Sequence, residues 1–544
     1  MIGWCGMMAV CAMGPMLGDG GTSAEAVSRV SLESVGASVG IGGYFPAQGQ
    51  GAGVAAADYD DDGDIDLFVA QGFGHRDALW RNDGGVFTDV AESSGLTTTF
   101  NARCGLWCDF DSDGLLDLVV MHDQFQQPGT IGTRTLALYR QMKDRTFVEV
   151  TGGSGLDGFG LLFLQVHGGG MCAGDLTGDG RPDLVVTTWD RGARVYRNEG
   201  GMVFTDISAQ TDISGDVGVF WQPVMFDVDD DGDLDVLIAH DFFENVLLVN
   251  DGSGTLVDEA DVYGIDSAMN EMGIALGDPD MDGDWDVSMT NLYTSPQGVQ
   301  EHNVYFEREG SGFVERAVEL GVGRAGYSWG TVFTDLDNDG RVDLLCVNED
   351  EAVKAERLPW RAWRNVGSRG NGVVFRSVEE EIGFDFDDHG SSLIDVDLDR
   401  DGDQDLVVTV FDGMGGGELR VLENDSARVI DEHGWIVVRP RMWGTNNTRA
   451  LGSVVRVRVG DVWRSRVIGA GTSFQGQVPA EAHFGLGVAE VVDEVVVEWS
   501  GGGETVLHDV EARGVVDVTP AMGRGRDVTR VLRMLRTRVG VWGR

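Results

Sequence analysis

Between residues 29 and 425 the chain repeats one alternation: a short apolar run, an acidic turn containing glycine, a second apolar run, then a phrase rich in aromatic residues. Val54 to Ala57 and Leu67 to Ala70 flank the first such turn. Apolar runs this short, bounded by Asp-Gly turns, read as strands. A second phrase is an apolar strand followed by a turn that closes on Gly and an aliphatic residue, with copies starting at Val30, Val86, Thr146, Val203, Thr255, Gly312 and Val374. A third phrase ends at Asn82, Gln141, Asn198, Asn250, Arg308, Asn365 and Asn424, as in LWRN, VYRN and AWRN.

The acidic turn has a fixed form, Asp-x-Asp-x-Asp-Gly-x-x-Asp, and begins at Asp58, Asp109, Asp175, Asp227, Asp278, Asp335 and Asp397. Successive starts are 51, 66, 52, 51, 57 and 62 residues apart. That period leaves room for one four-stranded blade per copy. Seven copies of each phrase predict an all-β fold, a seven-bladed β-propeller over residues 29–425.

Alternate carboxylates at positions one, three and five point into one concavity, Gly at six permits the sharp turn, and the ninth residue closes the cage. Hard oxygen ligands in this arrangement suit Ca²⁺. The candidate ligands are Asp58, Asp60, Asp62 and Asp66; Asp109, Asp111, Asp113 and Asp117; Asp175, Thr177, Asp179 and Asp183; Asp227, Asp229, Asp231 and Asp235; Asp278, Asp280, Asp282 and Asp286; Asp335, Asp337, Asp339 and Asp343; and Asp397, Asp399, Asp401 and Asp405. Up to seven Ca²⁺ ions are expected. Thr177 stands in place of an Asp, so the third loop is the weakest or uses that hydroxyl. The flanking strands distinguish these loops from an EF-hand, which has flanking helices and Glu at position twelve.

Composition changes the picture in two ways. The formal net charge of −50 argues against a nucleic-acid partner, which needs a basic stripe. Much of that charge, 27 carboxylates, falls in the loops and needs cations to coexist. The six cysteines show no zinc or haem spacing and read as small buried hydrophobes. Residues Ile2 to Gly18 carry no charge, and Ala24-Glu25-Ala26 looks like a cleavage site, so 1–26 reads as a signal peptide. Export, to an extracellular or periplasmic compartment, also suits calcium loops of modest affinity. No stretch is long and apolar enough to span a membrane.

From His433 the composition shifts to Val- and Gly-rich alternation, as in VVRVRVG and VDEVVVEWSGG, which predicts a small β-domain over 433–519. The tail, 522–544, has seven Arg and one acid, with Val528, Val531, Leu532, Leu535 and Val539 at helical spacing. It reads as a frayed end, or as a basic amphipathic helix able to touch a membrane or the acidic propeller.

The loops and their flanking strands resemble the FG-GAP (VCBS) repeats of integrin α-subunit heads and secreted bacterial proteins. Gly53, Gly170, Gly273 and Gly330 each precede their loop by five residues, at the glycine position of that family. In the seventh repeat Gly390 lies five residues before Asp395, not Asp397, which implies two additional residues there. The segment RALGSVVRVRVG, with GAGTSFQGQ, HFGLG and VEWSGG, resembles the ASPIC/UnbV domain, although Ser500 stands where that family commonly has Pro. A propeller followed by this domain is similar to the cartilage acidic protein family and its bacterial relatives. The resemblance implies an extracellular calcium-binding protein with no generally established reaction.

Position five after each loop holds Gln71, His122, Thr188, His240, Asn291, Asn348 and Val410. Five extended residues reach about 17 Å, so these ends belong to the face opposite the loops. They read either as caps of their own turns or as part of a ligand face that includes His122, Asp123, His240, Asp241, Asn291 and Asn348. Long connections, from His122 to Arg134 and from Asn348 to Trp360, emerge at the same end. No Gly-x-Ser-x-Gly, His-Glu-x-x-His or phosphate-binding Gly loop is present. A carboxylate that cages Ca²⁺ is not free to protonate a leaving group. The expectation is therefore a non-catalytic scaffold that binds protein or glycan, with a carbohydrate-active lyase or hydrolase as the alternative.

Overall fold

The computed structural model describes residues 30–44, 52–72, 74–125, 135–157, 165–213, 218–252, 254–292, 302–349, 358–369, 372–411, 416–426 and 433–520. The expected signal peptide, the basic tail, Cys5, Cys11 and most of the two long connections lie outside the described residues.

Each repeat folds as a four-stranded antiparallel sheet. In the first, Val54–Ala57, Asp66–Val69, Ala78–Asn82 and Phe87–Asp89 pair in that order. The acidic loop is the turn between the first and second strands. The inner strands of the seven sheets are Val54–Ala57, Ala102–Cys108, Gly168–Gly174, Phe220–Phe226, Ala268–Gly277, Ser328–Thr334 and His389–Val396. Each packs against the next and the last packs against the first, so the ring closes as a β-propeller. The seventh sheet takes its outer strand from the start of the chain: Leu32–Ser34 pairs with Gly417–Asn424. The second repeated phrase forms that outer strand and a turn; in three repeats the turn is a short helix ended by Gly264, Gly321 or Gly383 in the left-handed conformation.

The third phrase is a staple between blades. Asn82 Nδ2 donates to Leu398 O (2.9 Å), Gln141 Nε2 to Tyr59 O (2.9 Å), and Asn198 Nδ2 to Phe110 O (3.0 Å). Asn250, Asn365 and Asn424 reach Leu176 O, Pro279 O and Leu336 O in the same way. Every acceptor is position two of the preceding blade's acidic loop. Arg308 breaks the series. At that junction blades four and five are instead joined by a ladder pairing Asp241 with Asn270 and Glu244 with Ala268.

The C-terminal β-domain is two facing sheets. Ala482–Gly487, Gly434–Pro440 and Gly514–Val518 form one; Val462–Val467, Val454–Val459, Val491–Glu498 and Glu504–Glu511 form the other. The alternating Val pattern places Ile436, Val455, Phe484, Val495 and Val516 in the shared core.

This domain sits on the acidic-loop face and sends one segment, Gly471 to Gln477, down the propeller axis. The segment touches all seven inner strands. Gln477 exchanges backbone hydrogen bonds with Val54 and Ala56, and its side-chain amide donates to Trp107 O and accepts from Trp107 N. Gln475 Nε2 donates to Gly169 O (2.8 Å), and its backbone N–H donates to Gln222 Oε1 (2.8 Å). Ser473 exchanges backbone bonds with Ile274 and accepts at Oγ from Thr331 N. Gly476 packs on Ser392 and Ile394. Phe474 is fully buried between Trp221 (5.4 Å between ring centroids) and Trp329 (4.9 Å). A Cβ on Gly53 would collide with Gln475 O, and one on Gly273 with Trp329 O, which explains glycine at those two inner-strand positions.

Candidate metal centres

The first Asp of each loop organises the turn. Asp58 accepts from Asp62 N (3.1 Å) and Gly63 N (3.2 Å), and the pattern recurs at Asp109, Asp175, Asp227 and Asp335. Gly at position six has positive φ in all seven loops, from 84° at Gly180 to 102° at Gly63. Position four is also left-handed in all seven: Asp61, Ser112, Gly178, Asp230, Met281, Asn338 and Arg400. Gly178 signals this most plainly and Asp61, Asp230 and Asn338 tolerate it, whereas Ser112, Met281 and Arg400 adopt αL at some cost.

The seventh loop shares the common register. Leu398 N donates to Asp405 Oδ2 (3.0 Å) and Gly402 N to Asp397 Oδ2 (3.1 Å), matching Tyr59, Asp66, Gly63 and Asp58 in the first loop. The two additional residues read from Gly390 do not exist. Gly390 pairs with Val410 as Gly168 pairs with Thr188, so Ser392 occupies the position of Gly170 and Gly330.

The ninth Asp does more than close a cage. Asp66 accepts from Tyr59 N (3.1 Å) and Asn82 N (2.8 Å), tying the loop to the third strand, and Asp117, Asp183, Asp235 and Asp405 do the same. Asp286 accepts from Tyr305 Oη (2.5 Å) and Arg308 N. Asp343 accepts from Asn365 N (2.8 Å). Oxygens within 4.8 Å of one another come from Asp58, Asp60 and Asp62; Asp278, Asp280 and Asp282; and Asp335, Asp337 and Asp339. In two other loops the ninth residue joins the group, as Asp109, Asp111 and Asp117, and as Asp227, Asp229 and Asp235. In the third loop the Thr177 hydroxyl donates to Asp183 Oδ2 (3.1 Å), and Asp179 pairs with Arg181.

The residues present fit a hard cation. Asp60 Oδ1, Asp278 Oδ2, Asp337 Oδ1 and Asp397 Oδ1 are buried oxygens without a hydrogen-bond partner. A buried acceptor in that state is costly unless a cation completes it. Burial also pushes the carboxyls upward: Asp66 to about 9, Asp183, Asp235, Asp278 and Asp335 to about 7, and Asp58 and Asp227 to about 6. Arginines offset part of this charge. Arg140 Nε lies 2.6 Å from Asp111 Oδ2, Arg364 pairs with Asp337, and Arg341 pairs with Asp339.

Two family models match the chain: the ASPIC and UnbV model over residues 444–524, and the FG-GAP-like repeat model over residues 58–120 and 175–238. The chain carries FG-GAP-like repeats and an ASPIC/UnbV domain. Cartilage acidic protein 1 from Homo sapiens is 24% identical over 478 residues, covering 83% of this chain and 69% of that protein. The Mus musculus protein of the same name is 24% identical over 479 residues, covering 83% and 70%. Among solved structures, BBS1N in complex with ARL6DN is 9% identical with a TM-score of 0.37, covering 70% of this chain and 93% of that one. The BP39L lectin from Burkholderia pseudomallei is 10% identical with a TM-score of 0.39, covering 70% and 99%.

Three of the motifs that mark the ASPIC/UnbV domain make its contacts with the propeller, whereas VEWSGG bonds within the domain. From RALGS and the residue before it, Thr448 Oγ1 donates to Asp109 Oδ2 (2.5 Å), and Arg449 Nη2 reaches Asp61 Oδ1 (3.2 Å) and Gly114 O (3.3 Å). GAGTSFQGQ is the axial plug. In HFGLG, His483 Nε2 lies 3.0 Å from Gly402 O, and Gly487 N donates to Asn338 O (2.8 Å). Glu481 pairs with Arg400 (2.6 Å).

The expected ligand-face residues share strand-end positions away from the loops, but they are less exposed than a binding surface requires. Asp123 is buried, accepting from Arg103 Nε (2.7 Å), Asn101 Nδ2 (2.9 Å) and Gly168 N (2.9 Å), so it braces blades two and three. Asn348 donates to Ala325 O, Leu358 O and Pro359 O, capping its own turns. His240 stacks between Phe220 and Phe243, and its Nδ1 lies 2.9 Å from Glu244 O. Asp241 accepts from Trp189 Nε1 (3.0 Å). His122 and Asn291 are buried with side-chain polar atoms unpartnered, and burial lowers His122 to about 4. What does face solvent here is a pair that the sequence did not single out: Phe242 and Phe243, more than half exposed, with Phe242 at φ 76°. Bulky residues rarely adopt that conformation.

The cysteines Cys104, Cys108, Cys172 and Cys346 are free and buried, with Cys104 and Cys346 pushed up to about 12 by burial. Among the described residues no helix is long and apolar enough to cross a membrane.

Proposed function

We propose that the chain is a non-catalytic, exported scaffold: a propeller stabilised by Ca²⁺ at its FG-GAP loops, which binds a protein or glycan with the face away from them. The observation that carries the calcium reading is the set of buried, unpartnered oxygens on Asp60, Asp278, Asp337 and Asp397. Bound Ca²⁺ supplies charge neutralisation, while the chain supplies the oxygens and holds each turn through positions one and nine. Cartilage acidic protein 1, by name an acidic protein of cartilage, supports an extracellular setting for this chain.

The ASPIC/UnbV domain occupies the loop face, which leaves the opposite face for a partner. Phe242 and Phe243 are the best-supported anchors there. Aromatic residues dominate recognition hot spots, and the bulge between Asp241 and Glu244, where Phe242 is left-handed, turns both rings toward solvent.

Equilibrium dialysis with Ca²⁺ and thermal melting with and without chelator test the first half. A calcium-loaded protein screened on glycan and protein arrays, alongside the Phe242→Ser, Phe243→Ser double variant, tests the second. The double variant should lose the captured partner with an unchanged melt. A melt unaffected by EGTA after verified metal removal rejects the calcium reading, and full binding by the double variant rejects the assigned face.

A further inference from the structure

The ASPIC/UnbV domain does not cover the seven loops equally. Its paired strands Ala482–Gly487 and Gly434–Pro440 lie across loops six and seven: a Cβ on Gly485 would collide with Asp335, and one on Gly402 with the Trp435 ring. Arg464 Nε donates to Gly340 O (2.9 Å), and His433 Nδ1 lies 2.7 Å from Asp337 O. Asp335, Asp337, Asp397 and Asp399 are consequently buried, Asp337 lies with Asp335 and Asp339 in one carboxylate group, and Asp337 Oδ1 and Asp397 Oδ1 are without a partner. Loops three and four differ, with Asp179, Asp229 and Asp231 exposed.

We infer that the ASPIC/UnbV domain is the gate of loops six and seven: a cation held there leaves only when the segment Gly471 to Gln477 has withdrawn from the axis, while loops three and four exchange with solvent directly. Only Val478 to Glu481 separates the plug from the covering strand, so one cannot lift far without the other. The plug is anchored on seven strands and by Phe474 between Trp221 and Trp329, which makes its withdrawal a rare opening. Local openings of well-packed elements approach global unfolding in cost, whereas exposed loops open freely. The inference rests on the calcium reading of the loops and adds a division of the sites into two kinetic classes.

The test is calcium release from the full chain into excess fluorescent chelator, followed by stopped flow. Two ions should leave at least roughly tenfold more slowly than the exposed ones. Asp399→Asn should subtract from the slow phase alone, and Asp229→Asn from the fast phase alone. Phe474→Ala should accelerate the slow phase at unchanged total calcium. A single phase for all ions, or an Asp399→Asn loss from the fast phase, overturns the gate and leaves the calcium reading intact. Failure of dialysed protein to hold calcium overturns the calcium reading itself, and the gate with it.

Discussion

The side-chain amide of Asn82 donates to the backbone carbonyl of Leu398, 2.9 Å away and 316 residues later in the chain. The same amide donates to Ile65 O in its own blade (3.1 Å), so one side chain satisfies two buried carbonyls and joins the first blade to the seventh. Asn424 does the equivalent with Gln404 O and Leu336 O.

Asn82→Ala should therefore cost more than a surface deletion. It strands two buried acceptors, and an unsatisfied buried polar group costs about 1–3 kcal/mol. Urea unfolding of the calcium-loaded protein should show that loss, with Arg308→Ala costing less because no staple exists at its junction. Equal losses would mean that the amides add nothing beyond their packing.

Calcium removal should lower the melting temperature by many degrees. At ten times Kd each site adds about 1.4 kcal/mol, and seven sites roughly 10 kcal/mol. The pH dependence of the chelated protein has a definite sign. Asp66 at about 9, and Asp183, Asp235, Asp278 and Asp335 at about 7, are all raised above 3.8 by burial. Folding then takes up protons, so the stabilisation is full below about pH 4 and is lost progressively as pH rises to the folded values of about 7 and about 9. In excess chelator the protein should melt higher near about pH 5 than near about pH 8. With calcium the order should invert, since cation and proton compete for the same oxygens.

Loop three should be the least demanding. Asp229→Ala removes a carboxylate from a four-Asp loop, whereas Thr177→Ala removes a hydroxyl already donated to Asp183. Matched calcium titrations read by melting should show the larger loss for Asp229→Ala. The opposite order would place Thr177 among the stronger ligands.

Phe474→Ala should be among the most damaging single changes in the ASPIC/UnbV domain. Large-to-small substitution of a buried Phe costs about 3–5 kcal/mol, and here the cavity would open between Trp221 and Trp329 on the propeller axis. Trp fluorescence and melting should report it together. A loss below about 1 kcal/mol would show that the plug is a loose filler.

The blades were legible in the sequence because Asp, Gly and alternating apolar residues specify their turns locally. The third phrase was visible as a pattern, yet Asn82 and Asn424 gave no hint of their acceptors, which lie on another blade. Position four of each loop was hidden, since Asp61, Ser112 and Arg400 share no side-chain chemistry and are united only by backbone conformation. The plug illustrates the same limit. GAGTSFQGQ could be recognised as a family signature, but only the ring itself shows where Phe474, Gln475 and Gln477 bind. The strand-end polar residues were correctly aligned by register, while burial of His122 and Asp123 depended on neighbouring blades. Gly390 misled because a spacing of five was read where the strand pairing sets seven.

The outer strand of the last blade, Leu32–Ser34, is the first segment of the ring to be synthesised, and its partner, Gly417–Asn424, is the last. During translation that early strand has no mate until six complete blades and two further strands of the seventh have followed it. Such distant pairing is slow to form and leaves sticky edges in the meantime. The seventh blade, and with it the ring, is therefore completed only after its last strand has been made. Any cation taken up by the acidic turn of that blade would then stiffen a circle already closed rather than guide its closing.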